Sequence, residues 1–203
     1  IEDFMMLDDS KPSIDWDSLT FSFTETDRMY MSTCKKGEEW ESGVMQDYQE
    51  LRISPAAGVI NYGQGLFEGM KARRTEDGRV LLFRPEFNAR RSAEGCRRLG
   101  MPPVSEEIFL SSVKKVVEEN IRWLPPNGKG ELYIRPLSFG SGAVLGVSPA
   151  PEYTFLIYAV PVGPYFKGGM NPISLKVSDE YHRAAPGGSG GVKAIGNYAP
   201  GMM

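Results

Sequence analysis

Lys193 has the most chemically suggestive neighbourhood in this sequence. The run Pro186-Gly187-Gly188-Ser189-Gly190-Gly191 precedes it, and Gly196, Asn197 and Tyr198 follow within five residues. A lysine in a flexible loop is ordinarily a solvated ammonium. One held among packed neighbours such as Ile195 can lose its proton and act as an amine nucleophile or base. The glycines also invite a phosphate-loop reading, because they let backbone N–H groups approach an anion. Spacing argues against it: such a loop needs Gly just before the lysine and Ser or Thr after it, whereas Val192 and Ala194 stand there. Gly63-Gln64-Gly65 likewise lacks the third glycine of a dinucleotide-binding turn.

A second set sits on a strand-like segment. Alternation over Leu132 to Ser138 puts Tyr133 and Arg135 on one face and Leu132 and Ile134 on the other. The polar face is either solvated or, with an arginine fixed beside a tyrosine, able to hold a carboxylate. Tyr62 and Phe67, around Gly63 and Gly65, read as core aromatics. Helical pattern makes Arg91 a solvated charge, opposite a stripe of Ala89, Ala93 and Cys96. The cluster Arg90, Arg91, Arg97 and Arg98 lacks the aromatic interleaving of a nucleic-acid surface. The single histidine, His182, has no second histidine or spaced carboxylate to complete a metal set, so no metal is expected.

The elements that position these residues read as a mixture. Asp77-Gly78 suits the tight turn of a hairpin between Met70 and Phe83. Pro85 opens a helix predicted over 85–99 and ended by Gly100. Ser105 caps a second helix whose apolar face is Phe109, Val113, Val116, Val117, Ile121 and Leu124, stopped by Pro125-Pro126. Strands are expected at 132–138 and 153–162, with a further one over 173–178. Hairpins with two helices, and no strand–helix alternation, make the fold class α+β.

The chain has 203 residues, 41% hydrophobic and 24% charged, with net charge −3, the profile of a soluble globular protein with a sizeable core. No run approaches the roughly 20 apolar residues of a membrane span, and the acidic balance disfavours nucleic acid. Two cysteines, Cys34 and Cys96, suit a reducing compartment such as plastid, mitochondrion or cytoplasm.

Four motifs, taken in order, carry a resemblance: Asn61-Tyr62-Gly63-Gln64-Gly65-Leu66-Phe67-Glu68-Gly69, Leu82-Phe83-Arg84-Pro85, Leu132-Tyr133-Ile134-Arg135-Pro136, and Gly190-Gly191-Val192-Lys193-Ala194-Ile195-Gly196-Asn197-Tyr198. From about Trp16 to its end the chain resembles the branched-chain amino acid aminotransferases of eukaryotic, plant-like type. The resemblance implies a fold type IV enzyme dependent on pyridoxal 5′-phosphate, with residues 1–162 as a small α/β domain, 163–173 as linker and 174–203 as the start of a large domain. It implies that Lys193 bonds the cofactor and carries the proton between substrate and cofactor carbons, that Arg91 binds the cofactor phosphate, and that Tyr198 lies beside its phenolate oxygen. Phe21, Tyr62, Phe67, Tyr133 and Arg135 match the substrate pocket, with Val147 and Tyr165 reaching into the partner subunit's site of a homodimer.

The implied reaction is transamination of leucine, isoleucine and valine with 2-oxoglutarate, giving branched 2-oxo acids and glutamate. A D-amino acid aminotransferase, an aminodeoxychorismate lyase and a non-catalytic dimerisation module are the alternatives. Ten residues follow Lys193. The resemblance therefore implies that the acidic partner of the pyridine nitrogen and the later phosphate-holding loops lie outside these 203 residues, which alone would bind cofactor poorly and not turn over.

Overall fold

The computed structural model describes residues 13–166 and 171–202. Its centre is a seven-stranded, wholly antiparallel sheet in the order β2-β1-β7-β6-β4-β5, with β3 pairing separately with β6. The strands are β1 (Arg28–Lys35), β2 (Val44–Asp47), β3 (Gly65–Phe67), β4 (Met70–Arg74), β5 (Val80–Leu82), β6 (Glu131–Gly140) and β7 (Glu152–Val162). The helices are α1 (Gly58–Tyr62), α2 (Pro85–Arg98) and α3 (Glu106–Glu119). The mixture is the expected α+β class.

Most of the expected elements form, for the physical reasons read from them. The β4–β5 hairpin turns where Gly78 takes a φ of 82°, a conformation that glycine adopts without strain. Helix α2 carries Pro85 in its first turn and ends before Gly100, at φ 67°. The Oγ of Ser105 accepts a hydrogen bond from the Ile108 amide at 3.2 Å, capping α3. That helix ends at Glu119, earlier than Pro125-Pro126 requires, and Ile121–Trp123 forms a separate 3₁₀ turn. The buried stripe of α2 is Ala89, Ser92, Gly95 and Cys96, with Ala93 only partly covered.

Both long helices contribute to a core against one face of the sheet, where Phe109, Val113, Leu132, Ile134, Phe155 and Ile157 are fully buried. The Phe109 ring alone, 5.8 Å from Phe155, would cost about 3–5 kcal/mol if cut to alanine. Alternation then sends Tyr133 and Arg135 of β6, and their cross-strand neighbours Val160 and Tyr158 of β7, to the opposite face.

The strand expected over 173–178 does not form. The segment alternates as a strand should, yet Ile173, Leu175 and Val177 are 56%, 85% and 85% exposed and no described strand pairs with it. Its apolar side has no layer to cover it, and unpaired backbone gains nothing from extension. The linker expected over 163–173 includes 167–170, which lie outside the described residues, as do residues 1–12 of the expected small domain.

Candidate active site

The Gly-rich loop is closed by a side chain that sequence reasoning had noted only as a neighbour of Lys193. Asn197 is buried, and its Nδ2 donates to the carbonyls of Ser189 (2.8 Å) and Val192 (2.9 Å) while its Oδ1 accepts from the Ser189 hydroxyl (2.7 Å). The loop is thereby a fixed turn, although glycine-rich. On its far side the chain docks on β3: the Phe67 amide donates to the Lys193 carbonyl at 3.2 Å, and Leu66 bridges Ala194. Lys193 is thus held from both flanks.

Its amine sits 3.0 Å from the Tyr198 hydroxyl and 4.1 Å from the centre of the Phe67 ring. Phe67 lies opposite Leu137 of β6 and so faces the same side as Tyr133 and Arg135. The Arg135 guanidinium stands over Phe67 at 4.5 Å and donates to the Tyr133 hydroxyl at 3.1 Å. Its Nε is buried without a hydrogen-bond partner. Phe21 meets Tyr133 edge-on at 5.3 Å and Tyr165 at 5.0 Å. A continuous set of contacts therefore runs from Lys193 through Phe67, Arg135, Tyr133 and Phe21 to Tyr165. Phe21, Phe23, Tyr133, Arg135, Tyr158 and Val160 line a cleft along it.

Arg91 departs from the solvated charge that helical pattern predicts. Half of its side chain is exposed, but its Nε and Nη2 donate to the two carboxylate oxygens of Glu68 at 2.7 and 2.6 Å. This bond, with Tyr198 close enough to contribute, holds the guanidinium's pKa above its ordinary value despite partial burial.

Tyr62 and Val147 stand apart from this set. The Tyr62 hydroxyl donates to the Leu145 carbonyl, fixing the base of the loop on which Val147 is 88% exposed. Gln64 anchors the same loop, its Oε1 accepting from the Ala150 amide at 3.0 Å and its Nε2 donating to the Leu99 carbonyl at 3.1 Å. Tyr165, matched to a residue serving the partner subunit, packs here on Phe21 of its own chain.

Glu68 and Asn197 carried a signal in the sequence. One is an acid between Phe67 and Gly69 in a stretch otherwise apolar, the other a lone amide closing a run of glycines. No cluster of three metal-binding side chains occurs among the described residues, and no helix among them is long and apolar enough to cross a membrane.

An amine beside a hydroxyl over an aromatic floor, with the Arg135 guanidinium next along it, can bond a carbonyl carbon and hold a carboxylate. Comparisons with known proteins narrow this. No family model matches the chain. It is 60% identical over 186 residues to "Branched-chain amino acid aminotransferase 2, chloroplastic" of Humulus lupulus, covering 92% of this chain and 46% of that protein. It is 53% identical over 191 residues to the mitochondrial "Branched-chain amino acid aminotransferase 1" of the same plant, covering 94% of this chain and 49% of that protein. Among solved structures, the branched-chain aminotransferase of the thermophilic archaeon Thermoproteus uzoniensis, determined with norvaline, superposes with a TM-score of 0.65 at 23% identity, covering 86% of this chain and 54% of that one. The chain spans about half the length of the curated relatives it matches, and over nearly all of its own length it is similar to branched-chain amino acid aminotransferases.

Proposed function

We propose that the full-length protein transfers the amino group of leucine, isoleucine and valine to 2-oxoglutarate, giving branched 2-oxo acids and glutamate. The observation that carries this reading is the Lys193 amine, 3.0 Å from Tyr198 and over the Phe67 ring, at one end of the contacts that lead to Arg135 and Tyr133.

The residues present fit pyridoxal 5′-phosphate. Lys193 offers an amine to an aldehyde, Tyr198 a hydroxyl, and Arg91 a guanidinium whose edge away from Glu68 is available to a phosphate. When bound, the cofactor supplies the electron sink for carbanion chemistry at the substrate α-carbon. With the cofactor held there, Lys193 Nζ would move the proton from that carbon to the cofactor carbon that was its aldehyde, and the hydrogen bond to Tyr198 keeps the amine from swinging away. Phe21 and Phe67 give apolar wall to branched side chains. The Arg135 guanidinium and the Tyr133 hydroxyl hold the distal carboxylate of glutamate.

In this reading residues 1–162 form a small domain, 163–173 a linker and 174–203 the start of a large domain. Support comes from the sheet, which is complete by Val162, and from the apolar Ile173, Leu175 and Val177 left uncovered after it. The protein acts as a homodimer, for which the exposed Val147 loop offers contact surface. It works in a reducing compartment, where the buried Cys34 and Cys96 stay thiols. The test is the full-length protein with Lys193→Ala, assayed with leucine and 2-oxoglutarate. Loss of both turnover and the visible absorbance of lysine-bound cofactor is expected. Normal turnover would overturn the reading.

A further inference from the structure

Glu68 is a fully buried acidic side chain that no step of the proposed reaction uses. It follows β3 directly, and strand alternation turns it away from Phe67's face, toward α2. Its carboxylate accepts three side-chain hydrogen bonds: from Arg91 Nε at 2.7 Å, Arg91 Nη2 at 2.6 Å and Asn88 Nδ2 at 2.8 Å. Its own amide donates to the Pro136 carbonyl of β6 at 2.8 Å, so the residue is pinned to a central strand. A carboxylate withdrawn from water persists only when paired and hydrogen-bonded in this way.

Arg91 presents the opposite case, since 52% of its side chain is exposed. A long exposed arginine samples many rotamers, and ordering it costs entropy. The two-point grip on Nε and Nη2 removes that freedom while leaving Nη1 and the outer Nη2 hydrogen directed away from Glu68. We propose that Glu68 is a positioning residue: it holds one edge of Arg91 so that the opposite edge meets the cofactor phosphate already oriented. The proposal rests on the assignment of Arg91 to that phosphate.

A prediction of counter-intuitive sign follows. Glu68 offsets the positive charge of Arg91, so if charge alone mattered, Glu68→Gln would strengthen phosphate binding. If orientation matters, the same change weakens it, because the amide NH₂ replaces one of the two acceptor oxygens and sets a donor against a guanidinium N–H.

The experiment compares pyridoxal 5′-phosphate with pyridoxal, which lacks the phosphate, as ligands of the full-length apoprotein. Expected for Glu68→Gln is an affinity for pyridoxal 5′-phosphate lower by about 10- to 100-fold, the range typical when a residue supporting a ligand contact is lost, with pyridoxal unchanged. Arg91→Ala should weaken pyridoxal 5′-phosphate at least as much, and adding Glu68→Gln to it should change nothing further. Equal or tighter binding by Glu68→Gln, with Arg91→Ala impaired, overturns the proposal and leaves the role of Arg91 standing. Unimpaired binding by Arg91→Ala overturns that role and the proposal with it. Should Glu68→Gln not fold, Asn88→Ala removes one support of the carboxylate. It should weaken pyridoxal 5′-phosphate about fivefold, one hydrogen bond's worth, and spare pyridoxal. Equal loss of both ligands would overturn the proposal.

Discussion

Replacing Asn197 by alanine tests whether the loop before Lys193 is held or merely passes by. The substitution deletes three hydrogen bonds, two from Nδ2 to the Ser189 and Val192 carbonyls and one from the Ser189 hydroxyl to Oδ1. At about 1 kcal/mol net each, the loop loses about 3 kcal/mol of local stability. A tenfold change per 1.4 kcal/mol turns this into roughly 100-fold faster opening. Hydrogen exchange in the full-length protein reads it directly: the Val192 amide, which donates to Ser189, and the Phe67 amide, which donates to Lys193, should exchange about 100-fold faster. Strands β6 and β7 should stay as protected as before, since no strand residue bonds to Asn197. Turnover should fall by a similar factor, because a shift of about 1 Å in a reacting group costs on that order. Asn197→Asp should be worse than alanine, setting a carboxylate oxygen against two carbonyls. Unchanged exchange at 189–193, or equal acceleration throughout the sheet, would refute the reasoning.

Two further outcomes follow from single contacts. At Gly69 an added Cβ would land on the Tyr133 hydroxyl, so Gly69→Ala should raise KM for 2-oxoglutarate by about tenfold with little change for leucine, measured by steady-state kinetics. Burial pushes the Cys96 thiol up to about 11 from an ordinary value of 9.0. An acid whose folded pKa is raised stabilises fully below the unfolded value and loses that contribution as pH climbs through the folded one. Denaturant unfolding should therefore show about 2 kcal/mol of stability lost between pH 9 and 11, a loss absent in Cys96→Ala, and the native thiol should resist alkylation at pH 8.

What was legible in the sequence was local. Helix α3 announces itself through Ser105 and an apolar stripe, β7 through an apolar run, and the β4–β5 hairpin through Asp77-Gly78. Strand β1 does not, because Met29, Tyr30 and Met31 follow one another without alternation and owe their place to β7, with Tyr30 opposite Ile157 more than 120 residues away. Helix α1 is five residues long, too short to show a period, and β3 is three. The error over 173–178 runs the other way: the alternation is present, but a strand needs a partner as well as a pattern. In the site, strand parity placed Tyr133 and Arg135 together correctly, while Arg91 misled because the residue that holds it, Glu68, is 23 positions away.

Every role proposed for this chain requires Lys193 to be the amine that bonds the cofactor. The full-length protein, loaded with pyridoxal 5′-phosphate, reduced with borohydride and digested, should yield by mass spectrometry a phosphopyridoxyl group on the peptide containing Lys193 and on no other lysine. A protein that carries no label, or carries it on another lysine with Lys193 unmodified, would contradict it.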